Sequence, residues 1–340
     1  MIASPTAIKR DSFKKQYEQL QEEVSAINTK LSCSSGAEAI RLQREAEETY
    51  GKMERIYNQL RQLEKQLEAE SQPQPTSISK SSQSASQLLF DLLLQIDFKQ
   101  QSQLAKEAVD LHRVSGFVVH GSPDCGGQQF LVTRLCRLNR RFRKISPIKI
   151  DVAHNGIGAS IPHLWRHLAP SLGLPRTANA DQIIEAICDR LQTQDVIFIF
   201  YTVDYMPPEK LKEWLRQFWE QLVMKIKATP SLLAKEKHLL MFLVDNSGRV
   251  CQSDLLLATQ HNQPDYPKAP MTLPPICPFP SDTLEEWLDN SPSPIAEMLN
   301  DLTVETLLEQ TDNGIPERVY EEICFYCNHD WEGDLAQWLV

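Results

Sequence analysis

The residues best placed to do chemistry are Gly121-Ser-Pro-Asp-Cys-Gly-Gly-Gln-Gln129. They follow an apolar, β-branched run, Gly116-Phe-Val-Val-His120. They precede Leu131, Leu135, Leu138 and Phe142, which are apolar at helical spacing. Strand, glycine turn and helix in that order build a phosphate cradle, in which backbone N–H groups and a helix N-terminus face the anion. Gly121 and Gly126 occupy the glycine positions of G-x-x-x-x-G-K-[ST]. The Lys slot holds Gly127 and the Ser/Thr slot holds Gln128; with one inserted residue those slots hold Gln128 and Gln129. Neither register supplies an ammonium for the β/γ-phosphates or a hydroxyl for Mg²⁺. The expected chemistry is that of a degenerate loop: no catalytic residue, no hydrolysis, no required cofactor, and a nucleotide held only through backbone amides if at all.

A phosphate-cleaving loop also needs an acidic residue at the tip of a second apolar strand. The best such strand, Val196-Ile-Phe-Ile-Phe200, runs into Tyr201 and Thr202; Asp204 is the nearest substitute or a turn residue before Pro207-Pro208. Arg249, after the apolar run ending in Val244, is the candidate sensor of a phosphate at the sheet's carboxyl edge, or a solvated loop arginine. Arg134, Arg137, Arg140, Arg141, Arg143 and Lys144 form a basic stripe. Without interleaved aromatic residues it reads as docking on acidic protein surface rather than on nucleic acid. Cys324-x-x-Cys327 lacks the second pair that structural zinc takes, and His163/His167 lack an intervening Glu, so no metal is expected.

The elements that must position these residues come in a clear order. Phe13, Tyr17, Leu20, Val24, Ile27 and Leu31 form one seam. Ala46, Tyr50, Met53, Tyr57, Leu60, Leu63 and Leu67 form another, with a Ser/Gly break at 32–36 between them. Residues 1–70 therefore read as a coiled-coil helical hairpin. Tyr57, Leu60, Leu63 and Leu67, on the longer helix, are its partner-binding strip. Residues 71–86, rich in Ser, Gln and Pro, read as a flexible linker. From 87 to 280 an α/β core is expected, with strands at 116–120, 148–151, 196–201, 238–244 and, more weakly, 271–276. Helices are expected at 88–96, 98–114 with Asp97 as its cap, 128–142, 160–170, 181–192 and 207–228. Apolar strands without alternation argue a parallel sheet covered on both faces. Residues 281–340 read as an acidic helical subdomain with segments at 282–289, 294–310, 316–327 and 331–339.

The net charge of −10 is unevenly placed. Residues 281–340 carry fifteen Asp/Glu and one basic residue, Arg318, whereas residues 71–280 have a net charge of +5. Such asymmetry favours attraction between the two parts or between copies, and an acidic end repels DNA. No apolar signal segment or membrane-length run is present, and the scattered cysteines suit reduced thiols. The cytoplasm is the default location.

Taken together, the segment at 117–131, Tyr201-Thr202-Val203 and Gly314-Ile315-Pro316 carry a resemblance over residues 87–340. The chain resembles the STAND class of signalling P-loop ATPases, and in particular their degenerate bacterial branch, the inactive-STAND domains. In active members the second strand ends in Asp-Asp-Val, where this chain has Tyr-Thr-Val; Gly314 and Pro316 match their Gly-x-Pro motif. The resemblance implies a P-loop-like, five-stranded parallel sheet in the order 5-1-4-3-2 with a helical C-terminal subdomain. It also implies a scaffold paired with effectors in bacterial stress or anti-invader signalling. The hairpin is similar to helical adaptor segments of such proteins. The expected partners are a protein effector or other copies of the chain. Two rival readings stand beside this one: a divergent ATP-binding NTPase, and a nucleic-acid-binding regulator using the helix from Arg134 to Lys144.

Overall fold

The computed structural model describes residues 79–340, apart from 138, 140, 141, 155–157, 159, 234 and 235, together with Leu20, Lys30 and Thr49. The hairpin residues Tyr57, Leu60, Leu63 and Leu67 lie outside the described residues. The chain divides into two compact units, Met1–Ser82 and Gln83–Val340. Among the described residues no helix is long and apolar enough to cross a membrane.

The second unit is built on a five-stranded, wholly parallel sheet in the order β2-β3-β4-β1-β5. Its strands are β1 (Val114–His120), β2 (Ile148–Asp151), β3 (Val196–Tyr201), β4 (Leu239–Asp245) and β5 (Met271–Thr272). This is the order that the resemblance implies. The three central strands are buried almost throughout, as parallel strands covered on both faces must be. In register, β1 and β4 pair Val114 with Leu239 through to His120 with Asp245, so their carboxyl ends finish side by side.

Two helical layers cover the sheet. One contains α1 (Ser79–Leu93), α2 (Lys99–Leu111) and α3 (Gln128–Cys136). The other contains α4 (Ile161–Ser171), α5 (Ala180–Leu191), α6 (Pro208–Trp214) and α7 (Gln221–Ala228), the last two joined by a π-helical turn over Leu215–Glu220. After the short α8 (Pro230–Leu233) and the sheet's last strands come α9 (Ser281–Asp289), α10 (Ser293–Met298), α11 (Val304–Gln310) and α12 (Pro316–Tyr326). Leu284, Trp287, Ile323 and Leu335 of this last part share one apolar core with Phe90, Phe117, Phe130 and Phe242. Residues 281–340, expected as an acidic helical subdomain, are helical and pack in this shared core against the α1–α3 layer.

Element boundaries differ from expectation at several points, beyond small shifts at the ends of α2, β1 and β5. α1 begins at Ser79, inside the stretch read as linker; no proline follows Pro75 there, and the helix runs into the buried Leu89, Phe90 and Leu93. Asp97 does not cap α2. Asp97 and Phe98 both take left-handed backbone (φ 43° and 54°), and the residue before α2 is Phe98, which makes no side-chain cap. The helix expected at 128–142 stops at Cys136, and Phe142–Lys144 forms a separate 3₁₀ turn. The helix expected at 294–310 is broken, and Thr303 caps its second half by accepting a 3.2 Å hydrogen bond from the Thr306 N–H.

Candidate functional site

The loop after β1 is held by its own short-range bonds. Gly121 pairs with Ile276, the Cys125 N–H donates to the Ser122 carbonyl at 3.1 Å, and the Ser122 hydroxyl donates to the Cys125 sulfur at 3.0 Å. Gly126 and Gly127 then turn with φ 61° and 82°, a conformation that L-side chains avoid, and Gly127 leads directly into α3. Gln128 is buried beside Gly121, whereas Gln129 is exposed. The loop thus joins β1 to α3 through two left-handed glycines, with glutamines and no basic side chain directly after them.

What faces the two glycines is α12. A Cβ on Gly126 would lie 2.5 Å from Oε2 of Glu317, and one on Gly127 would lie 3.0 Å from Cβ of Pro316. Gly314, two residues earlier, lies against Phe279: its carbonyl accepts from the Phe279 N–H at 2.7 Å, and its φ is 88°. Gly314 and Pro316 thus seat the start of α12 on the loop, with the Glu317 carboxylate beside Gly126. A cavity of about 310 Å³ remains, lined by Gly126, Gly127, Gln129, Asn246, Glu317 and Trp331 among others; of the described lining residues, Glu317 carries the charge. Below it Phe130 stacks on Tyr320, ring centroids 3.5 Å apart, and on Trp331 at 4.7 Å.

The other expected site residues are placed as follows. Tyr201 ends β3 beneath this edge; its hydroxyl donates to the Val340 carbonyl, and burial pushes its phenol well up. Thr202 (φ 55°) donates to the Asp151 carboxylate and accepts from the Ala153 N–H at 3.0 Å, so it ties β3 to β2. Asp204 lies in the following 3₁₀ turn and accepts from the Asn246 N–H at 3.3 Å. With the exposed Arg249 it borders a second cavity, of about 280 Å³, separate from the loop. Arg249 and Asp204 are thus brought together with each other and not with Gly126.

The basic stripe divides. The largely buried Arg134 donates to the carbonyls of Leu94, at 3.0 Å, and of Asp97, and burial pulls its guanidinium below the ordinary value. Arg137 pairs with Asp91 at 2.7 Å and lies over the Phe90 ring. Arg134 is thus spent on the α1–α2 connection and Arg137 on α1 itself. Arg143 and Lys144 are exposed, and Arg140 and Arg141 lie outside the described residues. Cys324 and Cys327 are buried, and burial raises both thiols, Cys327 to about 11. Among the described residues no group of three or more His, Cys, Asp or Glu side chains is arranged for a metal.

Two residues escape a reading of the sequence. Asp245, fully buried at the tip of β4, accepts from the backbone N–H groups of Ser247 (3.2 Å) and Val250 (2.8 Å). An acid closing an apolar strand was its only signal. Glu317 had none beyond its place after the Gly-x-Pro motif.

Comparison with known proteins follows the same division of the chain. Residues 93–244 match the family model described as inactive STAND, and residues 3–69 match that of effector-associated domain 9. No curated protein matches. Among solved structures, the Walker-type ATPase PABY2304 of Pyrococcus abyssi is similar at 17% identity and a TM-score of 0.42, over 72% of this chain and 71% of that one. The ORC2 protein of Aeropyrum pernix, solved in ADPNP–ADP complexes, is similar at 13% identity and a TM-score of 0.39, over 68% and 63%. The chain is therefore similar to effector-associated domain 9 over residues 3–69 and to inactive STAND over residues 93–244, a stretch that runs from the end of α1 into β4.

Proposed function

We propose that this chain is a non-catalytic STAND-like scaffold or adaptor of bacterial stress or anti-invader signalling. In this reading it works in the cytoplasm and couples to a protein effector, or to other copies, through its N-terminal segment. The observation that carries the non-catalytic half is the Glu317 carboxylate at the mouth of the loop, 2.5 Å from a Cβ on Gly126. In this reading a carboxylate beside Gly126 repels phosphate oxygens brought to the loop, and neither Gln128 nor Gln129 offsets it. Tyr201 and Thr202 offer no carboxylate for Mg²⁺ or water. The effector half is supported by the effector-associated domain 9 match, and the strip Tyr57, Leu60, Leu63 and Leu67 lies within it.

Phosphate release from ATP and GTP with Mg²⁺ tests the first half on the full chain. Release at background is expected; turnover that Gly126→Val abolishes would overturn the reading in favour of an NTPase. Pairing Leu60→Glu with Leu63→Glu tests the second. Assembly or effector capture is expected to weaken while the melting of the second unit stays unchanged, and no loss of either would reduce the segment to a spacer.

A further inference from the structure

Two surface features of the second unit carry opposite charges beside apolar surface. The first is the cavity bordered by Asp204 and Arg249. Its walls are Tyr205, Pro207, Pro208, Leu211 and Leu255, apolar over most of their surface, and its volume is about 280 Å³. A cavity of about 150 Å³ already admits a benzene ring. Tyr205 stands 71% exposed at its rim. Among the described lining residues the exposed Arg249 is the one cation, and the Asp204 carboxylate beside it accepts the Asn246 N–H at 3.3 Å.

The second feature is Phe325 on α12, 73% exposed, the most exposed large hydrophobic side chain among the described residues. Glu321 and Glu322 precede it by four and three residues, one turn back on the same helix face. An aromatic ring flanked by carboxylates thus protrudes from the acidic end of the chain, and an apolar socket with an arginine at its rim opens in the basic middle. α12 belongs to the layer on one face of the sheet, whereas Leu211 and Val250 beside the socket belong to the core on the other. The sheet stands between them, so one copy cannot make the contact with itself.

We infer that Phe325 of one copy enters the Asp204–Arg249 socket of a second copy, with Glu321 and Glu322 meeting Arg249. The contact is heterologous, since each copy offers one ring and one socket, and it propagates into a chain or closes into a ring of copies. A central aromatic anchor with charged groups around it is the usual make-up of an energetically dominant contact. This surface is independent of the strip at Tyr57–Leu67.

Sedimentation velocity of the full chain over a range of concentrations tests it. Wild type is expected to grow in mean mass with concentration. Phe325→Ala should weaken association by about thirty-fold, as loss of an anchor does. Arg249→Glu and Glu322→Arg should each weaken it by about ten-fold, and their combination in one chain should restore most of the loss. All three side chains are exposed or half-buried, and unchanged melting of each variant excludes misfolding. A wild type whose mass does not change with concentration, variants that associate as wild type does, or a charge swap that fails to rescue would each overturn the inference.

Discussion

Replacing Arg134 with Ala should damage the fold of the second unit, not a nucleic-acid site. The guanidinium makes one hydrogen bond of 3.0 Å to the Leu94 carbonyl and another to that of Asp97, in the turn between α1 and α2. That turn follows the end of α1 at Leu93 and runs through two successive left-handed residues, Asp97 and Phe98, and carbonyls just past a helix end such as Leu94 need partners from outside the helix. A hydrogen bond to a charged group contributes about 1.5–3 kcal/mol, so the pair contributes roughly 3–6 kcal/mol. Removing a largely buried cation returns part of that as relieved desolvation, leaving a net loss of about 2–4 kcal/mol. For a domain of this size each kcal/mol moves the midpoint by about 2–4 °C, so Tm should fall by roughly 4–16 °C. Arg134→Lys should recover part of it, since these bonds leave a single guanidinium nitrogen, Nη1, and an ammonium has three donors but a shorter reach. Circular dichroism melting and urea unfolding read the effect, with fluorescence anisotropy on labelled DNA and RNA at about 150 mM salt alongside. A Tm within about 1 °C of wild type, with nucleic-acid affinity lost, would refute the reasoning and favour a nucleic-acid regulator.

Two further outcomes follow from the site and the core. Gly126→Ala should destabilise by about 1–3 kcal/mol through its positive φ and its clash with Glu317, and by about 1 kcal/mol less in a Glu317→Ala background; a double-mutant cycle with no coupling would remove Glu317 from the loop. Burial raises the thiols of Cys188, Cys251 and Cys327 from 9.0 to about 11 and that of Cys136 to about 12. Between pH 9 and those values the unfolded chain releases protons that the folded chain keeps, so the stability contributed by these groups is complete below pH 9 and is lost as pH rises. Urea midpoints from pH 8 upward should therefore fall, and a flat or rising profile would refute this.

The strands were legible because a buried parallel strand needs a continuous apolar run, and Val196–Tyr201 and Ile148–Asp151 fall where the residues put them. The glycine turn was legible because Gly126 and Gly127 leave few alternatives. What failed was information carried by distant partners. Ser79–Ser86 looks like linker by composition, yet it is the first half of a helix whose second half is buried. Arg134 looks like part of a surface stripe, because backbone carbonyls as acceptors leave no mark in side-chain spacing. Residues 281–340 look self-contained, because amphipathic spacing shows that a face is buried but not against what. Glu317 meets Gly126 only through the seating of α12, a relation between segments nearly two hundred residues apart.

The pile of Phe130, Tyr320 and Trp331 has a mechanical consequence. Three rings from α3, α12 and the segment after it are clamped at one point, at centroid spacings of 3.5 and 4.7 Å. Close-packed interiors compress little and pass displacement on. A pull on the backbone at Trp331 would reach α3 through Phe130, and through α3 the central strand β1, without loss in a slack loop. The same pile ties α12 and the segment after it to α3 at the edge where Gly126 and Gly127 lie, so a displacement of any of the three is felt by the other two.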